Sequence, residues 1–304
     1  RDNSTMNEST ALSPTPNRAE AAAGAQRSSL RTQRAITSTF SHVVLIIFVV
    51  IIVYPVVWMI SASFKSQTEI VTNIWGLPSV WHWENYTSAW ESASMGYAIF
   101  NSIVSSLATV VLVVILASVA GYAFAKFRFR YSLLIFLVLI FTMQAPTPVI
   151  PLYIMLVRLK LTDSLLGLVL PMVAGGLPLA IFIFRAFFQS VPGELVDAAK
   201  VDGCNEFSAF RRVIIPIATP AIATVAILQF VGAWNEYFLA LILLRSPEVR
   251  TIPLAIQVFF YAWGRTQWEQ VFAALTIGSL PMIILYIIMQ RQFIQGLTAG
   301  SVKG

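Results

Sequence analysis

The sequence of 304 residues is too apolar for a water-soluble protein of ordinary composition. Apolar residues make up 57% of the chain and charged residues 11%, with a mean hydropathy of +0.76. Soluble proteins carry roughly 45–50% apolar and about 25% charged residues, so this chain has too little polar surface to cover a soluble globule. Its single cysteine, Cys204, excludes an internal disulfide, and because no histidine lies near it, no metal site is predicted.

Residues 1–41 are predicted to form a disordered, basic, cytoplasmic tail. They are rich in Ser, Thr, Ala, Pro and Asn and have no apolar periodicity, so they cannot bury enough surface to offset the entropy of ordering. Residues 42–304 are predicted to form a transmembrane domain. Its first apolar run, 43–64, carries no charge. The run is longer than the apolar region of a signal peptide, about 7–15 residues, which favours an uncleaved span.

Five further spans are predicted by length, because a bilayer core of about 30 Å needs about 20 helical residues. They cover approximately residues 97–125, 131–156, 164–188, 217–244 and 270–290. The third and fourth contain Pro and Gly, which transmembrane helices tolerate when neighbouring helices satisfy the freed backbone groups. The predicted fold class is therefore all-α: a polytopic membrane protein with six transmembrane helices.

The distribution of basic residues predicts that both termini are cytoplasmic. With six spans, fourteen of the 20 Lys and Arg residues lie on the side of the termini, as the positive-inside rule requires. The six on the outer side are Lys65, Arg158, Lys160, Arg245, Arg250 and Arg265. This asymmetry explains the net charge of +6, so no nucleic-acid partner is expected.

The predicted outer segment 65–96 is rich in aromatic residues. It contains Trp75, Trp81, Trp83, Tyr86 and Trp90. We interpret it as an aromatic belt at the membrane interface with a short amphipathic helix; a dedicated recognition surface is the alternative.

The predicted inner loop 189–216 has the pattern of two short helices joined by a bend. Glu194 and Asp197 suit the positive N-terminal end of a helix. Gly203 interrupts this helix, apolar residues then resume at helical spacing, and Pro216 marks the start of the next span. Such an element transmits motion when a partner docks on it; a plain amphipathic connector is the alternative.

This loop resembles the EAA motif of ABC-importer permeases. The motif has the form E-A-A, three residues, Gly, nine residues, and I-x-L-P. Asp197, Ala198 and Ala199 are followed at the same spacing by Gly203 and by a V-I-I-P sequence that ends at Pro216. Asp replaces Glu, Val replaces Ile and Ile replaces Leu, and each replacement keeps the charge or the apolar character.

Three other segments resemble the smaller permease subunit of maltose-type importers. They are the C-terminal sequence QRQFIQGLTAGSVKG at 290–304, the first span from Phe40 to the S-x-K that ends at Lys65, and the sequence AWNEY at 233–237. The resemblance covers about residues 40–304. It implies the fold of a type I ABC importer permease of the binding-protein-dependent carbohydrate family.

The resemblance also implies the function and the partners. The chain is expected to move a sugar, as a di- or oligosaccharide, across the inner membrane of a bacterial cell. The implied partners are a second permease subunit forming a heterodimer, an ABC ATPase dimer and an extracytoplasmic solute-binding protein. No lysine follows a glycine, so the chain lacks a P-loop. We therefore expect no catalytic residue and no cofactor in this chain, with ATP and magnesium bound by the partner ATPase.

Two contacts with the ATPase are implied by the resemblance. The first is a coupling helix, in the EAA loop at 189–216, that contains Asp197, Ala198, Ala199 and Gly203 and precedes Pro216. The second is the C-terminal tail, 291–304, which reaches between the ATPase subunits through Gly296, Leu297, Thr298 and Gly300.

Polar side chains inside the predicted fifth span are candidates for the substrate path, because burying them in a membrane is costly. They are Gln229, Asn235 and Glu236, and the neighbouring Trp234 offers a ring that can stack on a sugar. Hydrogen bonding between helices is the alternative role.

Other functions fit the sequence less well. A secondary transporter or channel needs buried charges along an ion pathway, and the predicted spans hold almost none. A membrane enzyme needs clustered catalytic groups, whereas both histidines lie at span edges. Import of glycerol-phosphate-type solutes by the same machinery stays open, although a strongly basic path would be expected for it.

Overall fold

A computed structural model describes residues 16–127, 129–143, 148–260 and 266–299, with side chains from residue 38 onward except at 289 and 291–299. All regular secondary structure in these ranges is helical, which confirms the predicted all-α class. The chain divides into two units, residues 1–58 and 59–304. The features discussed below belong to the second unit, apart from the beginning of the first helix.

The helices follow one another with short connections. They are α1 (Pro16–Ala62), α2 (Gln67–Thr72), α3 (Glu84–Ser92), α4 (Met95–Lys126), α5 (Ser132–Thr142), α6 (Val149–Arg158), α7 (Leu165–Ser190), α8 (Glu194–Val201), α9 (Glu206–Ala209), a π-helical turn (Phe210–Ile214), α10 (Ile215–Ile217), α11 (Thr219–Trp234), α12 (Phe238–Leu243), α13 (Ile252–Ile256) and α14 (Trp268–Ala299). Short 3-10 turns cover Pro247–Val249 and Gln257–Phe260.

Four helices in the described residues are long and apolar enough to cross a membrane. They are the Ser38–Ala62 part of α1, α4, α7 and the Trp268–Ile288 part of α14, and they correspond to the predicted first, second, fourth and sixth spans. Residues Glu206–Ile217 and α11 form a pair bent by 75°, which provides a fifth span if it is counted as one. The predicted fifth span, 217–244, also has a break further along, because α11 ends at Trp234 and α12 begins at Phe238.

The predicted third span, 131–156, consists of two shorter helices. Helices α5 and α6 have 11 and 10 residues and flank residues 144–147, which lie outside the described residues. Pro148 caps the start of α6, and a proline at this place breaks a helix because it lacks a backbone N–H. Each helix is shorter than the roughly 20 residues that a span needs, so the count of six spans stays a prediction.

Helix α1 begins at Pro16, whereas the sequence predicts disorder as far as residue 41. An alanine-rich stretch at 19–25 explains the difference, since alanine has the highest helix propensity. Proline is also favoured at the first helical position, where its missing N–H is not needed. Residues 1–15 of the predicted tail lie outside the described residues.

Helices α4 and α7 form the centre of the second unit, and α11 packs on both. A Cβ at Gly121 of α4 would lie 2.6 Å from the Cβ of Phe184 and 3.0 Å from the backbone nitrogen of Arg185. Only glycine therefore permits this separation of the helices. Ala117 and Ala180 are also fully buried here, as expected for membrane helices, which approach each other through small residues.

The aromatic segment after α1 folds into a cap at the end of the unit where α4 begins. The ring of Phe64 packs among the rings of Trp81, Trp83 and Tyr86, with centroid distances of 4.7–5.1 Å. The Lys65 side chain is buried, and its Nζ donates to the carbonyl of Asn73 at 2.6 Å. The short helix predicted in this segment is α3.

Candidate coupling loop and membrane groove

Helix α8 presents two different faces. Val196 and Ala199 are buried against the rest of the unit, whereas Asp197 and Ala198 are exposed. Since consecutive residues of a helix are about 100° apart, a buried pair three residues apart leaves the residues between them facing outward. The acidic and small residues of the motif are therefore available to a partner.

The end of α8 is a Schellman motif in which Gly203 has the left-handed conformation, with φ of +85°. The amide of Cys204 donates to the carbonyl of Ala199 at 2.9 Å, and the amide of Gly203 donates to the carbonyl of Lys200 at 3.0 Å. These two bonds satisfy carbonyls that the helix end leaves free. The spacing between the alanines and the glycine of the motif thus has a local cause, because Gly203 terminates the helix that carries them.

The bend is closed by polar contacts between α8 and α9. Lys200 Nζ lies 2.5 Å from Glu206 Oε1, and this hydrogen bond raises the pKa of Lys200. Asn205 caps α9 by accepting a hydrogen bond from the amide of Ser208 at 2.8 Å. The two helices are therefore connected beyond the backbone that joins them.

Three aromatic rings connect the loop with the long helices. Phe210, which follows α9, lies 4.9 Å from Tyr122 of α4 and 6.4 Å from Phe188 of α7, and the rings of Tyr122 and Phe188 are 5.7 Å apart. Lys126 Nζ, at the end of α4, donates to the carbonyl of Val191 at 2.6 Å. We call Tyr122, Phe188 and Phe210 the aromatic junction.

The path from the loop into the membrane helix contains a π-helical turn and the 75° bend. The carbonyl of Pro216 cannot accept its usual helical bond from residue 220, which is a proline. The hydroxyl of Thr219 donates to this carbonyl instead, at 2.7 Å. Pro216, predicted to mark the beginning of the span, therefore lies in the arm that precedes the bend.

A groove of about 340 Å³ lies between α7 and α11 at the level of the glycines of α7. It is lined among others by Gly175, Gly176, Gln229, Gly232 and Glu236. Gln229 approaches α7 so closely that a Cβ at Gly176 would lie 2.2 Å from its Oε1 atom. The glycines thus leave space for a polar side chain inside an apolar part of the molecule.

The family described as binding-protein-dependent transport system inner membrane component matches residues 113–299, which include the loop and the groove residues named above. The chain belongs to this family. It is therefore an integral membrane component of a transport system, and the family's members are transport subunits rather than enzymes.

Relatives with assigned names support this membership along most of the permease. The probable ABC transporter permease protein YurM of Bacillus subtilis (strain 168) is 36% identical over 272 residues, or 88% of this chain and 90% of the relative. The trehalose transport system permease protein SugB of Mycobacterium tuberculosis (strain CDC 1551 / Oshkosh) is 38% identical over 256 residues, or 82% and 92%.

A solved structure has the same fold. It is a chain in the crystal structure of a bacterial ABC transporter involved in the import of the acidic polysaccharide alginate. The TM-score is 0.74 at 24% identity, covering 85% of the permease and 97% of that chain.

The structure brings two of the four predicted substrate-path residues to the groove. Gln229 and Glu236 line it, whereas Trp234 is 3% exposed and stacks on Phe230 in the core at a centroid distance of 5.6 Å. Asn235 is exposed and donates to the carbonyl of Val231 at 2.9 Å. Trp234 is the last residue of α11, and Asn235 and Glu236 lie in the break before α12, so the helical spacing of α11 does not determine where these side chains point.

The carboxylate of Glu236 also has a local structural role. Its Oε1 accepts a hydrogen bond from the amide of Leu239 at 2.8 Å, near the start of α12. This bond lies within one segment, whereas Gln229 Nε2 donates to the carbonyl of Gly176 in α7 at 3.4 Å. The predicted alternative role, hydrogen bonding between helices that holds two permease subunits together, stays a prediction.

The predicted ATPase contacts of the tail are less fully described. Gly296, Leu297 and Thr298 lie in α14, which continues to Ala299, but their side chains are outside the described residues, as is Gly300 altogether. No group of three or more His, Cys, Asp or Glu residues in the described ranges is placed to hold a metal ion.

A clasp that no sequence pattern predicts joins two connections at the other end of the permease. Asp163 accepts hydrogen bonds from the amides of Arg245 and Ser246 at 2.7 and 2.9 Å and from the Ser246 hydroxyl. The bonds from Ser246 are the largest influence that lowers the pKa of Asp163. Arg245 and Ser246 lie 82 and 83 positions after Asp163 in the sequence, so no local sequence pattern indicates the clasp.

Proposed function

We propose that the permease moves a sugar, as a di- or oligosaccharide, into the cytoplasm and is driven by a separate ABC ATPase docked on residues 192–216. The observation that carries the proposal is the aromatic junction, which joins the loop that contains α8 to α4 and α7. A displacement of the loop would be transmitted to α4 and α7 through the packed rings of the aromatic junction rather than through flexible backbone.

The composition of the loop supports docking of a protein partner. Val201 and Phe207 are 88% and 68% exposed, and they flank the Schellman bend. Exposed apolar side chains next to a charged group such as Asp197 are typical of an interaction surface. A cationic side chain of the ATPase would pair with Asp197, and Ala198 would allow close approach.

The substrate class is proposed from the groove and from the relatives. Gln229 donates to Gly176 and Glu236 accepts from Leu239, and each side chain has a further oxygen that can accept a hydrogen bond in apolar surroundings. Such acceptors suit the hydroxyl groups of a sugar. The relative from Mycobacterium tuberculosis is named for trehalose transport. Glu236 is the one charged residue among those lining the groove, and a carboxylate disfavours glycerol-phosphate-type solutes by repulsion.

The remaining partners and the orientation follow the same proposal. A second permease subunit would complete the path, a solute-binding protein would deliver the sugar, and ATP with magnesium would bind the ATPase. Both termini would be cytoplasmic, supported by fourteen basic residues on that side against six. The tail, 291–304, would contact the ATPase.

Uptake by the reconstituted transporter tests this proposal. Proteoliposomes containing both permease subunits and the ATPase would be given the binding protein together with labelled trehalose, maltose or glycerol 3-phosphate. We expect ATP-dependent uptake of a disaccharide, reduced at least about ten-fold by Glu236→Ala, but not by the control Glu248→Ala on an exposed turn. Uptake of glycerol 3-phosphate alone would contradict the proposed substrate, and uptake without ATPase would contradict the mechanism.

A further inference from the structure

A second groove, of about 500 Å³, lies beside the clasp at the end of the permease opposite the coupling loop. Its lining combines Arg245, Arg250 and Gln257 with the apolar side chains of Leu241, Leu244 and Leu254. No carboxylate is among the described residues that line it. This mixture of two guanidinium groups and leucines differs from the polar lining expected of a path for neutral solutes.

The two arginines are held in place without being neutralised. Arg245 Nη2 donates to the Tyr153 hydroxyl at 2.6 Å, and Arg250 Nη2 donates to the carbonyl of Arg245 at 3.2 Å. Neither guanidinium forms an ion pair with a described side chain. Asp163 is near enough for its charge to interact with Arg245, but its oxygens already accept the bonds from residues 245 and 246. Most of the guanidinium N–H donors therefore remain available to an anion.

The length of α4 indicates that the arginines lie at the height of the lipid headgroups. Asn101 of α4 donates to the carbonyls of Glu248 and Arg250 at 2.7 and 3.0 Å, which fixes this loop beside the seventh residue of the helix. From there to Lys126, α4 rises about 37 Å at 1.5 Å per residue. A bilayer measures about 30 Å across its hydrocarbon core and about 40–45 Å with its headgroups. The backbone of Arg250 is thus just outside the core when Lys126 is at the opposite boundary.

The apolar part of the groove lies on the membrane side of the guanidinium groups. Leu239 of α12 packs in the same cluster as Met172 of α7, whereas Arg245 bonds Asp163, which precedes α7. Helix α12 therefore runs alongside α7, and Leu241 lies about 6 Å further from this end of α7 than Arg245 does. The order from headgroup to core is therefore cation, then leucine. An amphiphile with an anionic head and an acyl chain has the complementary order.

We propose that this groove binds an anionic membrane phospholipid, with its phosphate on Arg245 and Arg250 and an acyl chain along the leucines. The planar guanidinium fork suits phosphate oxygens, which it binds through two parallel hydrogen bonds. Such a lipid would stabilise the clasp between the loops. The proposal is independent of which solute the permease transports.

Lipid titration of the assembled transporter, followed by native mass spectrometry, tests the proposal. Dioleoyl phosphatidylglycerol is the probe and dioleoyl phosphatidylcholine the comparison. In the double variant Arg245→Gln and Arg250→Gln, the apparent Kd for phosphatidylglycerol should rise about ten-fold or more, as expected for the loss of two charge-assisted contacts. The control Arg158→Gln and Lys160→Gln removes the same charge from exposed residues outside the groove and should bind within about two-fold of wild type.

Several results would overturn the proposal. Equal effects of the double variant and its control would mean a general effect of charge, and no effect of either would mean no site. If the double variant weakens association of the solute-binding protein while phosphatidylglycerol binding is unchanged, the groove is a protein contact. If the double variant fails to assemble, each single Arg→Gln variant is measured, and each should give an intermediate loss.

Discussion

Gly203 and Gly193 lie on either side of α8. Both have space for a side chain, but their backbone conformations differ. A Cβ at either position would meet nothing within 4 Å, but φ is +85° at Gly203 and −63° at Gly193. Gly203→Ala should therefore destabilise the loop by about 1–2 kcal/mol through backbone strain, whereas Gly193→Ala should be nearly neutral.

This prediction is checked by thermal melting of the assembled transporter and by the ratio of solute transported to ATP hydrolysed. We expect a lower Tm and a lower ratio for Gly203→Ala, and unchanged values for Gly193→Ala. Equal effects of the two substitutions would show that the left-handed conformation has no role in coupling.

The residues of the coupling loop could be predicted from the sequence better than those of the groove. The spacing between Ala199 and Gly203 reflects a local helix-ending motif, and local motifs leave a sequence signature. Which residues of α11 face α7 depends instead on tertiary packing. Gln229 and Glu236 line the groove, although Glu236 lies in the break after α11, and no local pattern separates these two residues from Trp234 and Asn235.

At the scale of helices, the aromatic junction should matter for stability and for coupling. Phe210 is half-buried between α4 and α7, whereas Phe207, one helical turn earlier, is exposed. Phe210→Ala should lower the free energy of unfolding substantially, though by less than the roughly 3–5 kcal/mol of a fully buried phenylalanine. Phe207→Ala should change it by about 0.5 kcal/mol or less, as at other surface positions.

Melting of the two variants separates the structural role from docking. The expected outcome is a Tm decrease for Phe210→Ala alone. If Phe207→Ala lowers ATPase binding without changing the Tm, that agrees with its place on the exposed surface. A Tm decrease of the same size for both variants would mean that the ring contacts of Phe210 do not join the loop to the long helices.

The long spans could be predicted from apolar length, because a membrane imposes one dimension on every helix that crosses it. Two of the three places where the predicted and observed spans differ contain proline, whereas the break between Trp234 and Phe238 does not. Pro148 caps α6 in the divided third region, and Pro216 and Pro220 accompany the bend before α11. Composition shows that such residues interrupt a helix, but the angle of the bend depends on neighbouring helices.

At the scale of the whole molecule, the two ends of the permease have different chemistry. One end carries the coupling loop, with an exposed acidic and apolar surface connected to the long helices. The other carries the aromatic cap, the Asp163 clasp and the groove with two arginines. This division is what a transport subunit needs if an ATPase drives it from one side and the solute arrives from the other.

Thiol labelling of Cys204 tests the central claim, that an ATPase drives the permease through the cytoplasmic loop. Cys204 is the chain's single cysteine and lies directly after Gly203, so a membrane-impermeant maleimide reports on this loop alone, with Cys204→Ser as the blank. We predict labelling in inside-out vesicles stripped of the ATPase, protection when the ATPase is added back, and no labelling in right-side-out vesicles. Labelling from the outer face, or labelling that the ATPase does not change, would contradict the account.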